Sequence, residues 1–363
     1  MKEEWLAGIS REELLTRVGD MDQVAGVRMV TLEEASEQGV KAALFSTGTG
    51  FNFTVLFSRG MDISAADYQG KSLCWRSPSG DVHPAFFEPE GLGWLRNFFG
   101  GLVTTCGITY AGAPCVDQGK ALGLHGRYSN TPAGNICVQQ EWQGDEYVMS
   151  VQGQMREAVL FGENLRLTRR VWARLGESRF FIDDAVENLG YQTTEHMILY
   201  HVNGGYPAVD AGSVLISPTR STRPRDAEAE KSKENYANFD PPTKDYREKC
   251  YYHEMAADRD GMVVTALANK KFNGGEGFGC YLKYNQRELP IFTEWKQMGQ
   301  GYYTVGMEPA NCHVQGRDQE REWGTLQFLE PGERREYHLE LGVLRSAQEI
   351  GELEARVQAL LGG

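Results

Sequence analysis

Phe51-Asn-Phe-Thr-Val-Leu-Phe57 places apolar side chains at 51, 53, 55 and 57, with Asn52 and Thr54 between them. A period of two sends alternate side chains to opposite faces, so this stretch predicts a strand with one face buried. The same rhythm returns in both directions along the chain. Leu165-Arg-Leu-Thr-Arg-Arg-Val-Trp172 opens with clean alternation, and Glu336-Tyr-His-Leu-Glu-Leu-Gly-Val343 alternates again. Arg179-Phe-Phe-Ile-Asp-Asp-Ala-Val186 and Gly261-Met-Val-Val-Thr-Ala-Leu267 are rich in strand-forming residues. Turn words separate them, among them Asn188-Leu-Gly190, Asp258-Arg-Asp-Gly261, Asn273-Gly-Gly275 and Pro331-Gly332. Many short strands and few helices predict an all-β architecture of sheet packed on sheet.

Two helices are expected, one near each end. Ser10-Arg-Glu-Glu13 is a capping box followed by Leu14, Leu15 and Val18. Ser346-Ala-Gln-Glu349 is another, with Ile350, Leu353, Val357 and Leu360 at helical spacing. Residues 219–249 are rich in charge and proline and poor in aliphatics, and read as a solvated loop; the sharper reading is a lid over a site.

The 363 residues carry 41% apolar side chains, which supports a substantial core, and 42 glycines spread along the chain, which suit many turns. The net charge of −13 repels phosphate backbones and argues against a nucleic-acid partner. No signal-peptide core opens the sequence, and no run approaches the ~18 apolar residues of a membrane span. The seven cysteines include no C-x-x-C pair. A cytoplasmic protein with reduced thiols, no metal and no cofactor is therefore expected.

Three separated residues carry the sharpest chemical claim. His125 sits in Gly-Leu-His-Gly-Arg, His201 closes the strand-like Glu195-His-Met-Ile-Leu-Tyr-His201 before Asn203-Gly-Gly, and Glu308 follows an apolar strand and precedes Pro309. An imidazole and a carboxylate together can move protons across a polyol. Taken singly, each has a plainer reading: a satisfied core histidine, a turn histidine capping a carbonyl, an edge charge facing water. His196 and His201, five apart, are expected on opposite faces of one strand. Pro309 is expected to end the strand at Glu308. A carboxylate at such a strand end is expected to be partly desolvated, which raises its proton affinity.

A second set could line the same cleft: Arg59 and Asp62 after a strong strand, Arg96 beside aromatics, Arg127 next to His125, Asn203 after His201, and the neighbours Trp295 and Lys296. Aromatic faces stack on sugar C–H groups, while the charged groups bond hydroxyls; ordinary surface ion pairing is the commoner fate of such charges. Dinucleotide, P-loop, G-x-S-x-G and H-E-x-x-H motifs are absent.

With these words in place, the chain resembles the aldose 1-epimerase (galactose mutarotase-like) superfamily, and within it the DUF4432 branch. The matching stretches include Arg59-Gly-Met-Asp-Ile63, Gly100-Gly-Leu-Val-Thr-Thr-Cys-Gly107, Leu124-His-Gly-Arg127, Leu199-Tyr-His-Val-Asn203 and Gly306-Met-Glu-Pro-Ala-Asn311. The resemblance implies one β-supersandwich domain over residues 1–363, with short terminal helices and with 219–249 as a charged loop inside it. It implies that His201 is the general acid, Glu308 the general base, and His125 a second histidine bonding the ring or a hydroxyl. Arg96 would fill the superfamily's substrate-binding arginine role. The aspartate that typically grips hydroxyls has no clear counterpart. The implied reaction is interconversion of sugar anomers on a small-molecule sugar, with no nucleic acid or membrane partner; a homodimer is compatible with it. Rival readings are an epimerase, isomerase or lyase on a keto or modified sugar, a carbohydrate-binding protein without turnover, and a phosphosugar epimerase using Arg59, Arg96, Arg127 and Lys296.

Overall fold

A computed structural model describes Leu6 and residues 9–362. The alternating stretches form the strands they predict. Asn164–Arg174 and Arg179–Asn188 pair antiparallel with Leu167 opposite Val186 and Val171 opposite Ile182, every second side chain being buried. They lie in an eight-stranded sheet that runs from Val214–Ile216 at one edge to Gly134–Gln143 at the other. A second large sheet runs through Thr219–Pro224, Lys249–Met255, Ile291–Gly299, Tyr302–Ala310 and Thr194–Gly204, the last also pairing with Thr104–Ile108. Phe51–Leu56 belongs to a smaller five-stranded meander. Phe53 stacks on Phe45 at 4.3 Å and on Phe180 at 4.6 Å, locking that meander onto the eight-stranded sheet. One large apolar cluster takes in residues from all three sheets, which makes the fold an all-β supersandwich.

The inward stripe of Leu165, Leu167 and Val171 also contains Arg169, which has no solvent exposure. Its guanidinium bonds Asp184 through Nε (2.9 Å) and Nη2 (2.7 Å), and Asp62 through Nη1 (2.8 Å). Tyr200 donates to Asp184 at 2.7 Å, and the Thr105 N–H donates to Asp62 at 3.0 Å. A buried charge is tolerable only when paired and fully hydrogen-bonded. This network meets that condition and pins all three sheets to one another.

The terminal helices follow their capping signals. Ser10 accepts the Glu13 N–H at the start of Arg11–Leu15, and Ser346 accepts the Glu349 N–H at the start of Ala347–Gly362. Ile350, Leu353 and Val357 bury against Val264, Ala266 and Leu344. A further helix, Arg317–Trp323, lacked a clear signal because all its residues but Trp323 are polar and no apolar period shows. None of the described helices is long and apolar enough to cross a membrane.

Two sequence expectations need correction. Residues 219–249 are not one solvated loop: Thr219–Pro224 is a strand, with Thr222 opposite His253, and Asp226 caps the short helix Ala227–Glu230. The strand lies at the edge of its sheet, where one side meets water and charged side chains are favoured, so its composition hid it. Nor does the strand stop at Glu308. It continues through Pro309, opposite Phe292, to Ala310. Proline's missing N–H is felt on the other side. There the ladder to Thr194–Gly204 pairs at Leu199↔Ala310 and Val202↔Met307 but not at the two positions between.

Candidate active site

His201 and Glu308 occupy that interrupted interval. The pairing at Leu199↔Ala310 and Val202↔Met307 sets them opposite one another on adjacent strands, so both side chains leave the same face. His201 Nε2 stands 3.1 Å from Glu308 Oε1. The contact is not aligned as a hydrogen bond, and Glu308 Oε1 and His201 Nδ1 have no partner although buried. Buried polar atoms of this kind are rare and costly, and they mark a place where a ligand or catalytic role supplies the missing contact. On the far side of the Glu308 strand, Thr293 is opposite Glu308 and Trp295 opposite Gly306.

His125 reaches the same cavity from the loop after Lys120–Leu122. Its backbone takes a left-handed φ of 56° and is held by an N–H bond to the Gly112 carbonyl at 2.9 Å. Gly126, next to it, also has positive φ, and a Cβ there would stand 2.3 Å from the Tyr110 carbonyl oxygen, so only glycine fits. His125 Nδ1 accepts the Gly112 N–H at 3.3 Å, which assigns the remaining hydrogen to Nε2. The ring lies 4.8 Å from Trp94 and meets His201 edge-on at 5.9 Å.

The three groups line one cavity of about 370 Å³, within the usual size range of small-molecule sites. Trp94, Phe98 and Trp295 form aromatic walls; Phe98 lies 5.4 Å and Trp295 5.1 Å from the His201 ring. Arg225 and Glu248 close one side. Arg225 Nη2 pairs with Glu248 Oε1 at 3.0 Å, and Trp295 Nε1 donates to Glu248 Oε2 at 2.8 Å.

Burial sets the proton affinities. It pushes the Glu308 carboxyl well above the ordinary range, and the nearby Glu248 charge adds to the rise. It pulls His201 down to about 3, helped by His125, and His125 itself to about 4. Burial thus favours neutral rings on both histidines and the protonated form of Glu308. The resemblance implied His201 as the acid, whereas burial favours the proton on the carboxyl. The two arrangements differ only by one proton moved across a 3.1 Å gap.

The other candidates are dispersed. Trp295 lines the cavity, and Asn203 lies beneath it, donating from Nδ2 to the His201 carbonyl at 3.0 Å. Arg59 is buried elsewhere, with its N–H groups on the carbonyls of Ser129, Val82 and Asn97. Asp62 belongs to the Arg169 network. Lys296 points away from Trp295, as strand alternation demands, and donates to the Asn235 carbonyl at 2.8 Å. Arg96 is largely exposed and pairs with Glu88 at 3.2 Å. Arg127 borders a different cavity, of about 410 Å³, with Glu157, Glu163 and Lys120. His196 is in the core, between the Ile108 carbonyl and the Tyr337 hydroxyl. Among the described residues, no group of three or more His, Cys, Asp or Glu is placed to hold a metal ion.

Arg225 and Glu248 were missed. Arg225 follows the edge strand Thr219–Pro224 and Glu248 precedes its partner Lys249–Met255, both within the charged segment read as a loop. Their only signal was that the charged segment leaves and rejoins strand-like sequence at its two ends.

A sequence profile described as domain of unknown function DUF4432 matches residues 37–343. No curated protein matches at a significant level. Among solved structures, a candidate aldose 1-epimerase from Klebsiella pneumoniae superposes with a TM-score of 0.88 at 24% identity, over 94% of this chain and 91% of that one. A galactose mutarotase-like protein from Clostridium acetobutylicum gives 0.60 at 11% identity, over 89% and 99%. A galactose 1-epimerase from Lactobacillus acidophilus gives 0.53 at 12%, also over 89% and 99%. At these identities the likeness establishes the fold.

Proposed function

The chain belongs to the DUF4432 family, and from the chemistry of its cleft we propose that it is an aldose 1-epimerase-type isomerase, interconverting sugar anomers by acid–base ring opening. The observation that carries this reading is the His201–Glu308 pair: two buried, opposed groups 3.1 Å apart, in a setting that favours the neutral imidazole and the protonated carboxyl. Ring opening needs a proton delivered to the endocyclic oxygen and another removed from the anomeric hydroxyl. A pair that holds one proton between a donor and an acceptor supplies both steps.

In the proposed cycle one partner protonates the ring oxygen while the other accepts the anomeric hydroxyl proton. The bond between C1 and the ring oxygen breaks, the aldehyde turns about C1–C2, and the ring closes on the opposite face with the roles exchanged. Proton count and electron count are unchanged over the cycle. His125, neutral with its Nε2–H available, acts as a fixed donor to a ring or hydroxyl oxygen. Trp94 and Trp295 stack against C–H faces. Glu248, already oriented by Arg225 and Trp295, accepts from a hydroxyl. Its place in the sequence, between His201 and Glu308, is where the expected hydroxyl-gripping carboxylate had no counterpart.

The test is exchange NMR between the anomers of free aldoses with and without the full-length protein. Acceleration well above buffer catalysis supports the reading. No acceleration across aldoses, ketoses and uronates refutes it.

A further inference from the structure

Resting on that reading, we propose that the sugar is uncharged and carries an apolar group where a common hexose carries a hydroxyl, as a deoxy or O-alkylated sugar does. Two independent properties of the cavity point there.

The first is charge. Among the described residues, Arg225 is the only Lys or Arg lining the cavity, and its charge is answered by Asp226 (2.9 Å) and Glu248 (3.0 Å). Glu308 adds a second lining carboxyl group. Arg96, next in sequence to the lining residue Leu95, is turned to Glu88. A uronate or sugar phosphate would enter beside Glu248 and meet, among the described lining residues, only the already paired Arg225, so its lost hydration would be poorly compensated.

The second is the wall. The cavity that holds His201 and Glu308 is also lined by Trp94, Phe98, Leu124, Pro114 and Val314. Leu92 and Leu95, on the turn at the mouth, are 60% and 51% exposed while lining the same cavity. Among the described lining residues, the polar side-chain groups are those of His125, His201, Glu308, the Arg225–Glu248 pair and Cys250, besides the indole N–H groups of Trp94 and Trp295, which donate to Ser129 and Glu248. A fully hydroxylated hexose would leave hydroxyls against hydrocarbon. A methyl or alkyl group in that position buries apolar surface on both sides. The anomeric end, needed by the acid–base pair, sits at the floor; the apolar end faces Leu92 and Leu95.

The experiment compares sugars of one configuration at a time, in the gluco and galacto series: the 6-deoxyhexose, the parent hexose, the hexuronate and the hexose 6-phosphate. Anomer exchange is measured by NMR, and binding is measured separately by quenching of tryptophan fluorescence. In at least one series the 6-deoxy sugar is expected to exceed its parent by about tenfold in kcat/KM, the usual worth of one apolar contact, with both charged sugars lower still. Leu95→Asn is expected to reduce that deoxy-to-parent ratio. A charged sugar ranking first, or parent hexoses equalling the deoxy sugars in both series, overturns the proposal. Binding in the expected order without any exchange upholds the substrate class and refutes the isomerase reading instead.

Discussion

His201 and Glu308 face one another across two adjacent antiparallel strands, with 3.1 Å between Nε2 and Oε1, at one of the two positions where the ladder between those strands is open. Their separation is thus fixed by backbone pairing on either side rather than by flexible loops. If this pair carries the proton transfers, Glu308→Gln and His201→Asn each keep the fold and lose about 10²–10⁴-fold in kcat. Anomer exchange NMR alongside circular dichroism checks both halves. A folded variant with wild-type turnover removes that residue from the chemistry.

The pH profile follows from the directions of the shifts. The productive one-proton state needs His201 neutral and Glu308 protonated. It is lost on acidification when His201 gains a proton, at about 3, and lost on alkalinisation when Glu308 ionises, well above the ordinary carboxyl value. The kcat/KM profile should therefore have its acid limb near pH 3. An acid limb at about 6.5, the value of a freely titrating imidazole, would contradict the buried-neutral assignment.

Stability should depend on pH through the same carboxyl group. Glu308 has a folded-state pKa above its unfolded value, so the unfolded chain releases its proton first as pH rises. Folding stability contributed by this group is intact below the unfolded pKa of about 4.3 and is lost as pH climbs through the folded one. Glu308→Gln removes that loss. Its Tm is expected to match wild type at pH 4 and to exceed it increasingly toward pH 8, each unit of pKa elevation being worth about 1.4 kcal/mol. Parallel melting curves at both pH values would show that Glu308 ionises freely.

Arg169 offers a test of the frame independent of the site. Replacing it by Met leaves Asp62 and Asp184 buried without their cation. A loss of about 3–5 kcal/mol in denaturant midpoint experiments is expected. A loss under about 1 kcal/mol would mean that the network is dispensable for holding the sheets together.

Strand periodicity made the fold legible: 51–57, 165–172 and 336–343 announced themselves because one face is buried and the other is not. The trio His125, His201 and Glu308 was legible through its local words, and the structure brings all three to one cavity. What failed was the assignment of charged residues to faces. Arg59, Asp62 and Lys296 were read toward the cleft, yet each spends its polar atoms inside the protein. Trp295 and Lys296 could not both have pointed there, since neighbours on a strand diverge. Arg225 and Glu248 failed for the opposite reason. They sit in irregular links just after Thr219–Pro224 and just before Lys249–Met255, and only the pairing of those two strands, which composition does not reveal, holds the links at the cavity.

Gly306 gives the most local test of the geometry. It sits two residues before Glu308 on the same strand, and therefore on the same face. A Cβ at this position would stand 2.5 Å from Glu308 Oε1, 3.1 Å from the Trp295 Cβ and 3.3 Å from His201 Cε1. The absence of a side chain is thus what lets the acid–base pair close over the strand. The tightest of these clashes is with the far end of a side chain, so Gly306→Ala should move the carboxylate rather than unfold the sheet. A misplaced reacting group of about 1 Å costs on the order of 10²-fold in rate. Gly306→Ala is accordingly expected to fold, with a Tm within a few degrees of wild type, and to lose kcat by about that factor. Full activity in Gly306→Ala would mean that the close approach of His201 and Glu308 is not needed for turnover, and the pair would then have no claim on the mechanism.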